Sequence, residues 1–124
     1  MTLNEAIAKI DSLKPNQYTF AEKVAWISDV DGRIYRDLIT KHENPEEKTW
    51  DGPYDEDSSS ALVLLAYEPY TDLYIYYMMA MIDQYNGEYT RYSNDMGQFN
   101  NSYQAFADDY IRNNKSVMEH KFRL

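Results

Sequence analysis

Two helices are predicted in the first third of the chain from the spacing of its apolar residues. A Thr-x-x-Glu capping box at residues 2–5 precedes apolar residues three or four positions apart, which predicts a helix over residues 3–13. The helix should end before Pro15, because proline disfavours helical geometry in the residue that precedes it. A second capping box at residues 19–22 opens a longer apolar stripe, which predicts a helix that runs to about His42.

The segment at residues 44–68 has no helical period and is predicted to be a long acidic loop. Seven acidic residues fall between positions 43 and 57, against Lys48 alone on the basic side. Loops of this length are uncommon within compact domains and are usually functional. The apolar run at residues 61–66 is too short for an independent helix, so it predicts a short extended segment that lies on the helices.

The remainder of the chain carries a heptad stripe. Residues 70–113 contain no proline, which predicts helix throughout, with Pro69 at the first helical position. The stripe consists of Tyr74, Met78, Met81, Tyr85, Tyr89, Tyr92, Met96, Phe99, Tyr103, Phe106 and Tyr110. Two consecutive spacings of four residues surround Asn86-Gly87, and this stutter predicts a bend, a local unwinding or a helix boundary there.

These elements together predict an all-α fold. We expect a small helical bundle with two long helical segments, a long acidic loop and a short extended segment. The helix at residues 20–42 should pack antiparallel to the stripe of the last helical segment, since both are long and amphipathic. A single helical domain is expected over residues 1–113, followed by a flexible tail over residues 114–124.

Composition narrows the class of protein. The chain has 124 residues, which fits one domain, and it has no cysteine, which excludes a disulfide framework and a thiol nucleophile. Its net charge of −9 repels nucleic-acid backbones and anionic membrane surfaces. No window approaches 18 apolar residues, so we expect a soluble chain without a membrane partner.

Candidate chemistry is sparse. His42 and His120 have no second ligand at metal spacing, and no phosphate loop or nucleophile motif occurs. Asp31 stands in an Asp-Val-Asp-Gly sequence whose glycine comes too early for a calcium loop, so we expect this carboxylate on the surface of the second helix. The sequence therefore predicts no catalytic, cofactor-binding or metal-ligating residue, no cofactor and no enzyme activity.

Tyrosine is the exceptional residue. Thirteen of the aromatic residues are tyrosine, and eight of these lie between positions 67 and 92. Stripe tyrosines fit a core, with each hydroxyl reaching the surface or a partner. Tyrosines off the stripe would surround the third helix with apolar surface, which favours a protein interface. The candidate contact residues of this Tyr-rich block are Tyr70, Tyr74, Tyr76, Tyr77 and Met79.

Several segments resemble the head-tail connector (adaptor) proteins of long-tailed bacteriophages and prophages of Gram-positive bacteria. The resemblance covers about residues 2–113, and its specific part is the Tyr-rich sequence. The segments that carry it are Leu-Lys-Pro-Asn-Gln-Tyr at 13–18, Asp-Gly-Arg-Ile-Tyr at 31–35, Pro-Tyr-Thr-Asp-Leu-Tyr-Ile-Tyr-Tyr at 69–77, Ile-Asp-Gln-Tyr-Asn-Gly-Glu-Tyr at 82–89 and Phe-Asn-Asn-Ser-Tyr-Gln-Ala-Phe-Ala at 99–107. This chain departs from the family at Tyr67, where a further proline is frequent, and continues beyond residue 113.

The resemblance implies a virion structural protein without catalysis. Its partners would be further copies of itself in a ring, commonly of twelve, together with the portal protein and the next connector or stopper protein. Genomic DNA would only pass through the channel of the ring. The chain would be made in the host cytoplasm and end at the head-tail junction of the virion. The Tyr-rich block then supplies subunit contacts, and the basic, apolar tail supplies portal contacts through Lys115, Lys121, Phe122 and Arg123.

Two other classes stay open on the sequence alone. An acidic inhibitor that mimics DNA would have this size and charge, although it should spread its carboxylates along one face, whereas the densest acidity here is in a loop. A small hydrolase or metal-dependent enzyme has only scattered carboxylates in its favour.

Overall fold

The computed structural model describes residues 1–58 and 61–117, and within them the fold is all-α, as predicted. The helices are α1 (Leu3–Leu13), α2 (Phe20–Ile34), α3 (Asp72–Tyr85) and α4 (Tyr89–Asn113). A π-helical turn, Tyr35–Ile39, continues α2. The described residues contain no strand, and residues 40–71 connect the two halves of the bundle.

Both predicted capping boxes are present. The Thr2 hydroxyl oxygen accepts a hydrogen bond from the backbone N–H of Glu5 at 3.2 Å, and Thr19 does the same for Glu22 at 3.1 Å. Each threonine hydroxyl in turn donates to the side chain of its own glutamate, at 3.0 and 3.1 Å. These local bonds satisfy backbone donors that a helix start leaves unpaired, so both starts follow from the sequence.

The second helix differs from the prediction in its last turns. It is α-helical only to Ile34, and the wider π turn then ends at Ile39, short of the predicted end at about His42. The wider turn places both Leu38 and Ile39 in the core, at 5% and 2% exposure. If the chain had continued as a regular α-helix, Leu38 and Ile39 would not both point toward the buried face of α2. The wider turn brings both onto that face.

The long C-terminal helix is interrupted at the predicted place. Residues 86–88 separate α3 from α4, with Gly87 at φ +78°, so the stutter marks a helix boundary. The two helices then run antiparallel, because Tyr77 packs on Phe99 with ring centroids 5.1 Å apart and Tyr70 packs on Phe106 at 6.1 Å. The first helical residue is Asp72 and not Pro69, which precedes the helix in a cis peptide bond with Glu68.

The predicted packing of the second helix on the C-terminal stripe is found mainly on α3, which is the first half of the segment predicted at residues 70–113. In the described part of the chain α2 packs mainly against α1 and α3, and α4 is contacted by the π turn and by the side chain of Arg33. The central helix is α3, which contacts α1, α2 and α4. A helix that is apolar on most sides can thus be covered largely within this one domain, because three other helices surround it.

The apolar run at residues 61–66 is extended and lies on the helices, as predicted. Val63 pairs with Thr2 in an isolated antiparallel β-bridge. The N–H of Leu3 donates to the carbonyl of Leu62 at 2.9 Å, and the N–H of Leu64 donates to the carbonyl of Met1 at 3.0 Å. The segment therefore ties the end of the long connection to the start of α1.

Ile34 and Phe99 provide a test of the core, since their exposures are 0% and 1%. Replacing either with alanine should lower the free energy of unfolding by about 2–5 kcal/mol, because each change removes buried apolar atoms and leaves a cavity. Urea denaturation measures the loss. Ile111→Ala is the matched control, since Ile111 is 50% exposed and its truncation should cost less than about 0.5 kcal/mol. Equal stabilities for the core variants and wild type would contradict this packing.

Candidate interaction surfaces

The Tyr-rich block on α3 is divided between the core and the surface. Tyr74 is completely buried, so it has no surface to offer to another subunit, and its expected role as a contact residue is corrected. The other candidate contact residues, Tyr70, Tyr76, Tyr77 and Met79, are partly buried and pack against the core. These four keep some accessible surface, and their role as subunit contacts stays a prediction.

Tyr74 is buried because it binds a carboxylate inside the bundle. Its hydroxyl donates to Asp31 Oδ1 at 2.5 Å, and the hydroxyl of Tyr54 donates to Asp31 Oδ2 at 2.7 Å. The N–H of Leu65 lies 3.3 and 3.4 Å from the two carboxylate oxygens. The Tyr74 oxygen also accepts from the N–H of Ala66 at 2.8 Å. One carboxylate therefore joins α2, the acidic loop, the extended segment and α3.

The surface position predicted for Asp31 is wrong, since its exposure is 0%. Asp31 lies four residues after Ile27, so it shares the core-facing side of α2 with an apolar neighbour. Burial raises the pKa of Asp31 to about 6, although the bonds from Tyr74, Tyr54 and Leu65 and the charge of Lys48 oppose the rise. Burial and the Asp31 charge raise the pKa of Tyr54 and of Tyr74, so both hydroxyls stay protonated donors.

This carboxyl group makes stability depend on pH. The folded chain holds the Asp31 proton up to about pH 6, whereas the ordinary value is 3.8, so between these values the folded state binds more protons than the unfolded state. The free energy of unfolding should therefore fall as pH rises from about 4 to 6. We expect Asp31→Asn to flatten this slope in denaturant titrations at pH 4.5, 5.5 and 7. Asp108→Asn, on the exposed face of α4, should leave the slope unchanged, and an unchanged slope in Asp31→Asn would contradict the assignment.

A groove of about 440 Å³ lies between α2 and the acidic loop. Trp50 packs over Gly32 so closely that a Cβ at this position would come within 3.0 Å of the indole ring. The Arg33 guanidinium carbon lies 4.3 Å from the centroid of the Tyr103 ring. Tyr77 lines the same groove, so among the α3 candidates it borders an open depression that a partner side chain could enter.

Among the described residues, several exposed apolar side chains lie where the α1–α2 connection meets the α3–α4 turn. We call this surface the aromatic end and define it as Leu13, Tyr18, Phe20, Tyr85 and Tyr89. Four of its members are strongly exposed: Leu13 55%, Phe20 38%, Tyr85 64% and Tyr89 68%. Sequence reasoning placed the two stripe tyrosines in the core, and the helix boundary between them puts them at the surface.

Aromatic packing fixes the geometry of the aromatic end. The Tyr85 ring stacks on Trp26 at 6.0 Å and 11°, and Tyr18 contacts Trp26 edge-on at 5.5 Å. The Tyr18 hydroxyl donates to the Asn86 side-chain oxygen at 2.6 Å. Because Tyr85 is exposed and held by neighbouring rings, it loses little conformational entropy when a partner binds, so this surface is suited to protein contact.

The predicted tail begins as part of the fold. The N–H of Glu43 donates to the Lys115 carbonyl at 2.9 Å, and the N–H of Val117 donates to the Lys41 carbonyl at 3.0 Å. The expected disorder directly after residue 113 is therefore not seen at residues 115–117, because this stretch pairs with the chain after the π turn. Lys115 itself is exposed. The remaining portal-contact candidates, Lys121, Phe122 and Arg123, lie outside the described residues.

The described residues hold no group of three or more histidine, aspartate or glutamate side chains arranged to bind a metal ion. Across residues 1–58 and 61–117, every helix is too short or too polar to span a membrane. The chain matches no protein-family model, no curated protein and no solved structure.

Proposed function

We propose that this chain is a non-enzymatic virion structural protein, a subunit of the ring adaptor that joins the phage portal to the next connector. The aromatic end carries the proposal. Exposed tyrosines and apolar residues beside a ring-packed anchor, Tyr85, on a domain with a covered core are what a subunit contact requires. The resemblance of the Tyr-rich segments to head-tail connectors suggests which assembly this contact would belong to, the ring below the phage portal.

The position of the two candidate surfaces supports the same function. The aromatic end lies at the start of α4, and the paired residues 115–117 lie just after its last residue. Because α4 has 25 residues, these surfaces are separated by about 37 Å of continuous helix. A subunit that contacts neighbours at one end and the portal at the other needs such a spacer. A heterologous contact of this kind closes into a ring when its rotation permits.

The charge of the chain also suits a conduit for DNA. A net charge of −9 gives little attraction to the phosphates that pass through a channel. In the described structure the dense acidity of the loop lies beside α2, where Tyr54 is held by Asp31 and the Ser28 hydroxyl accepts from the Tyr54 N–H at 2.9 Å. Seven of the 21 acidic residues lie in this one loop, whereas a DNA mimic should spread its carboxylates along one face, which disfavours the DNA-mimic alternative.

Co-expression with a portal protein from the same phage or prophage, followed by electron microscopy, tests the proposal directly. We expect a ring of this chain stacked on the portal. A chain that never associates with the portal would contradict the proposal. Competition with DNA for a DNA-binding protein would instead favour the acidic inhibitor.

Removing the exposed tyrosines should separate assembly from folding. In Tyr85→Ser/Tyr89→Ser we expect stability to change by only about 1 kcal/mol, since both side chains are more than half exposed. Ring formation on the portal should weaken by about tenfold or more, because buried interface tyrosines are frequent hot spots. Quantitative pull-down and electron microscopy give the two readouts. Ile111→Ser, at 50% exposure on α4, is the control and should assemble normally. Normal assembly of the double variant would remove the aromatic end from the contact.

Shortening the chain after Val117 should affect only the portal contact. Residues 115–117 keep their bonds to residues 41–43, so the melting temperature should stay unchanged. Affinity for the portal should fall by about tenfold or more if the apolar and basic residues beyond this point bind it. Sedimentation with purified portal rings measures the affinity. Undiminished binding would exclude the tail and make the acidic loop the candidate contact.

A further inference from the structure

Two aspartates face each other across the α3–α4 hairpin. Asp83 lies near the end of α3 and Asp95 in the second turn of α4, and their carboxyl groups are within hydrogen-bonding range of each other. Each has its Oδ2 buried and without a hydrogen-bond partner elsewhere among the described residues. Asp83 is 1% exposed. Neither of these oxygens can be solvated by bulk water.

The contact requires a proton, because an ionised carboxylate oxygen only accepts hydrogen bonds. If Asp83 and Asp95 were both ionised, their carboxylates would repel each other, and the nearby cations would only partly neutralise the two charges. Lys14 binds Asp83 Oδ1 from the end of α1. The carboxylate of Glu88 also faces Asp83, and Arg91 lies 3.3 Å from Glu88 Oε2. Three carboxyl groups thus meet two cations in one partly buried cluster.

We propose that Asp83 and Asp95 share one proton in the folded chain under mildly acidic conditions, and that its loss loosens the α3–α4 hairpin. The two carboxyls would form an O–H···O⁻ hydrogen bond that links the helices. Proton loss converts this bond into repulsion between like charges. The pair is a property of the hairpin and does not depend on ring assembly.

The environment assigns the proton to Asp95. Burial, followed by the hydrogen bond and charge of Asp83, raises the pKa of Asp95 to about 7, against smaller opposing effects of Lys14 and Arg91. The pKa of Asp83 is lowered, because bonds from Asp95 and Lys14 outweigh its burial. Asp83 is thus the ionised acceptor, held by Lys14, and Asp95 is the donor.

Loosening would act first on the turn that carries the aromatic end. The N–H of Glu88 donates to the Asp83 carbonyl at 2.8 Å, and the N–H of Asn86 donates to the Ile82 carbonyl at 3.0 Å. Tyr85 and Tyr89 flank these bonds. Separation of the carboxyl groups would therefore change how the exposed tyrosines are presented.

Carbon-13 NMR of the full chain tests the proton directly. We expect the side-chain carboxyl carbon of Asp95 to titrate with a midpoint of about 7. In Asp83→Asn the midpoint should fall by at least about one pH unit, because the neighbouring charge is gone. Midpoints below about 5 for both carboxyls in the wild-type chain would overturn the proposal.

Hydrogen exchange at the Glu88 amide tests the link to the hairpin. Its protection, corrected for the intrinsic rate, should fall by up to about tenfold per pH unit between pH 5 and 7, since the closed hairpin holds a proton that the open one releases. Asp95→Asn should reduce this dependence to the part that Asp31 contributes through global unfolding, because the Asn amide donates to Asp83 at every pH. Asp108→Asn is the matched control and should behave as wild type. The same pH dependence in Asp95→Asn and wild type would overturn the coupling.

Discussion

The buried carboxylate of Asp31 is the constraint on which the arrangement of this domain depends. Its partners belong to three separate segments: Tyr54 in the acidic loop, Leu65 in the extended segment and Tyr74 on α3. A buried charge without such donors would cost several kcal/mol, so these segments must converge on α2. Burial outweighs the bonds from these donors and raises the pKa of Asp31 to about 6.

Several features of the fold follow from that convergence. The extended segment is fixed on one side by Asp31 and on the other by its bridge to Thr2, so the connection crosses the bundle in a defined path. The hydrogen bond to Asp31 holds Tyr74 in the core, and α3 is the central helix, in contact with α1, α2 and α4. With α3 covered, the strongly exposed apolar side chains of the described residues lie near helix ends, apart from Val63 in the extended segment.

This distribution separates the regions that stabilise the domain from those available to partners. The core is covered along the helices, while Tyr85 and Tyr89 are exposed beside the hairpin turn. The proposed ring contact and the proposed proton pair thus occupy the same end of the molecule. A head-tail connector would use such an end for assembly, and the carboxyl pair would set how firmly its tyrosines are held.

Local signals in the sequence determined the helices. The capping threonines, the proline after α1 and the stutter at Asn86-Gly87 act over three or four residues, and each marks a boundary in the structure. The all-α class and the extended segment at residues 61–66 followed from apolar spacing in the same way. Part of the candidate site could also be predicted, because the Tyr-rich block was identified, although not which of its tyrosines are buried.

Tertiary structure alone decided the rest. Asp31 is polar and was predicted at the surface, and only partners 23, 34 and 43 residues away make its burial possible. The contact of α2 mainly with α3, the burial of Leu38 and Ile39 by the π turn, and the exposure of Tyr85 depend on which segments meet in space. The spacing of residues along the chain does not encode these contacts. The burial of Asp31, for example, is favourable only because the fold brings hydrogen-bond donors to it from distant segments.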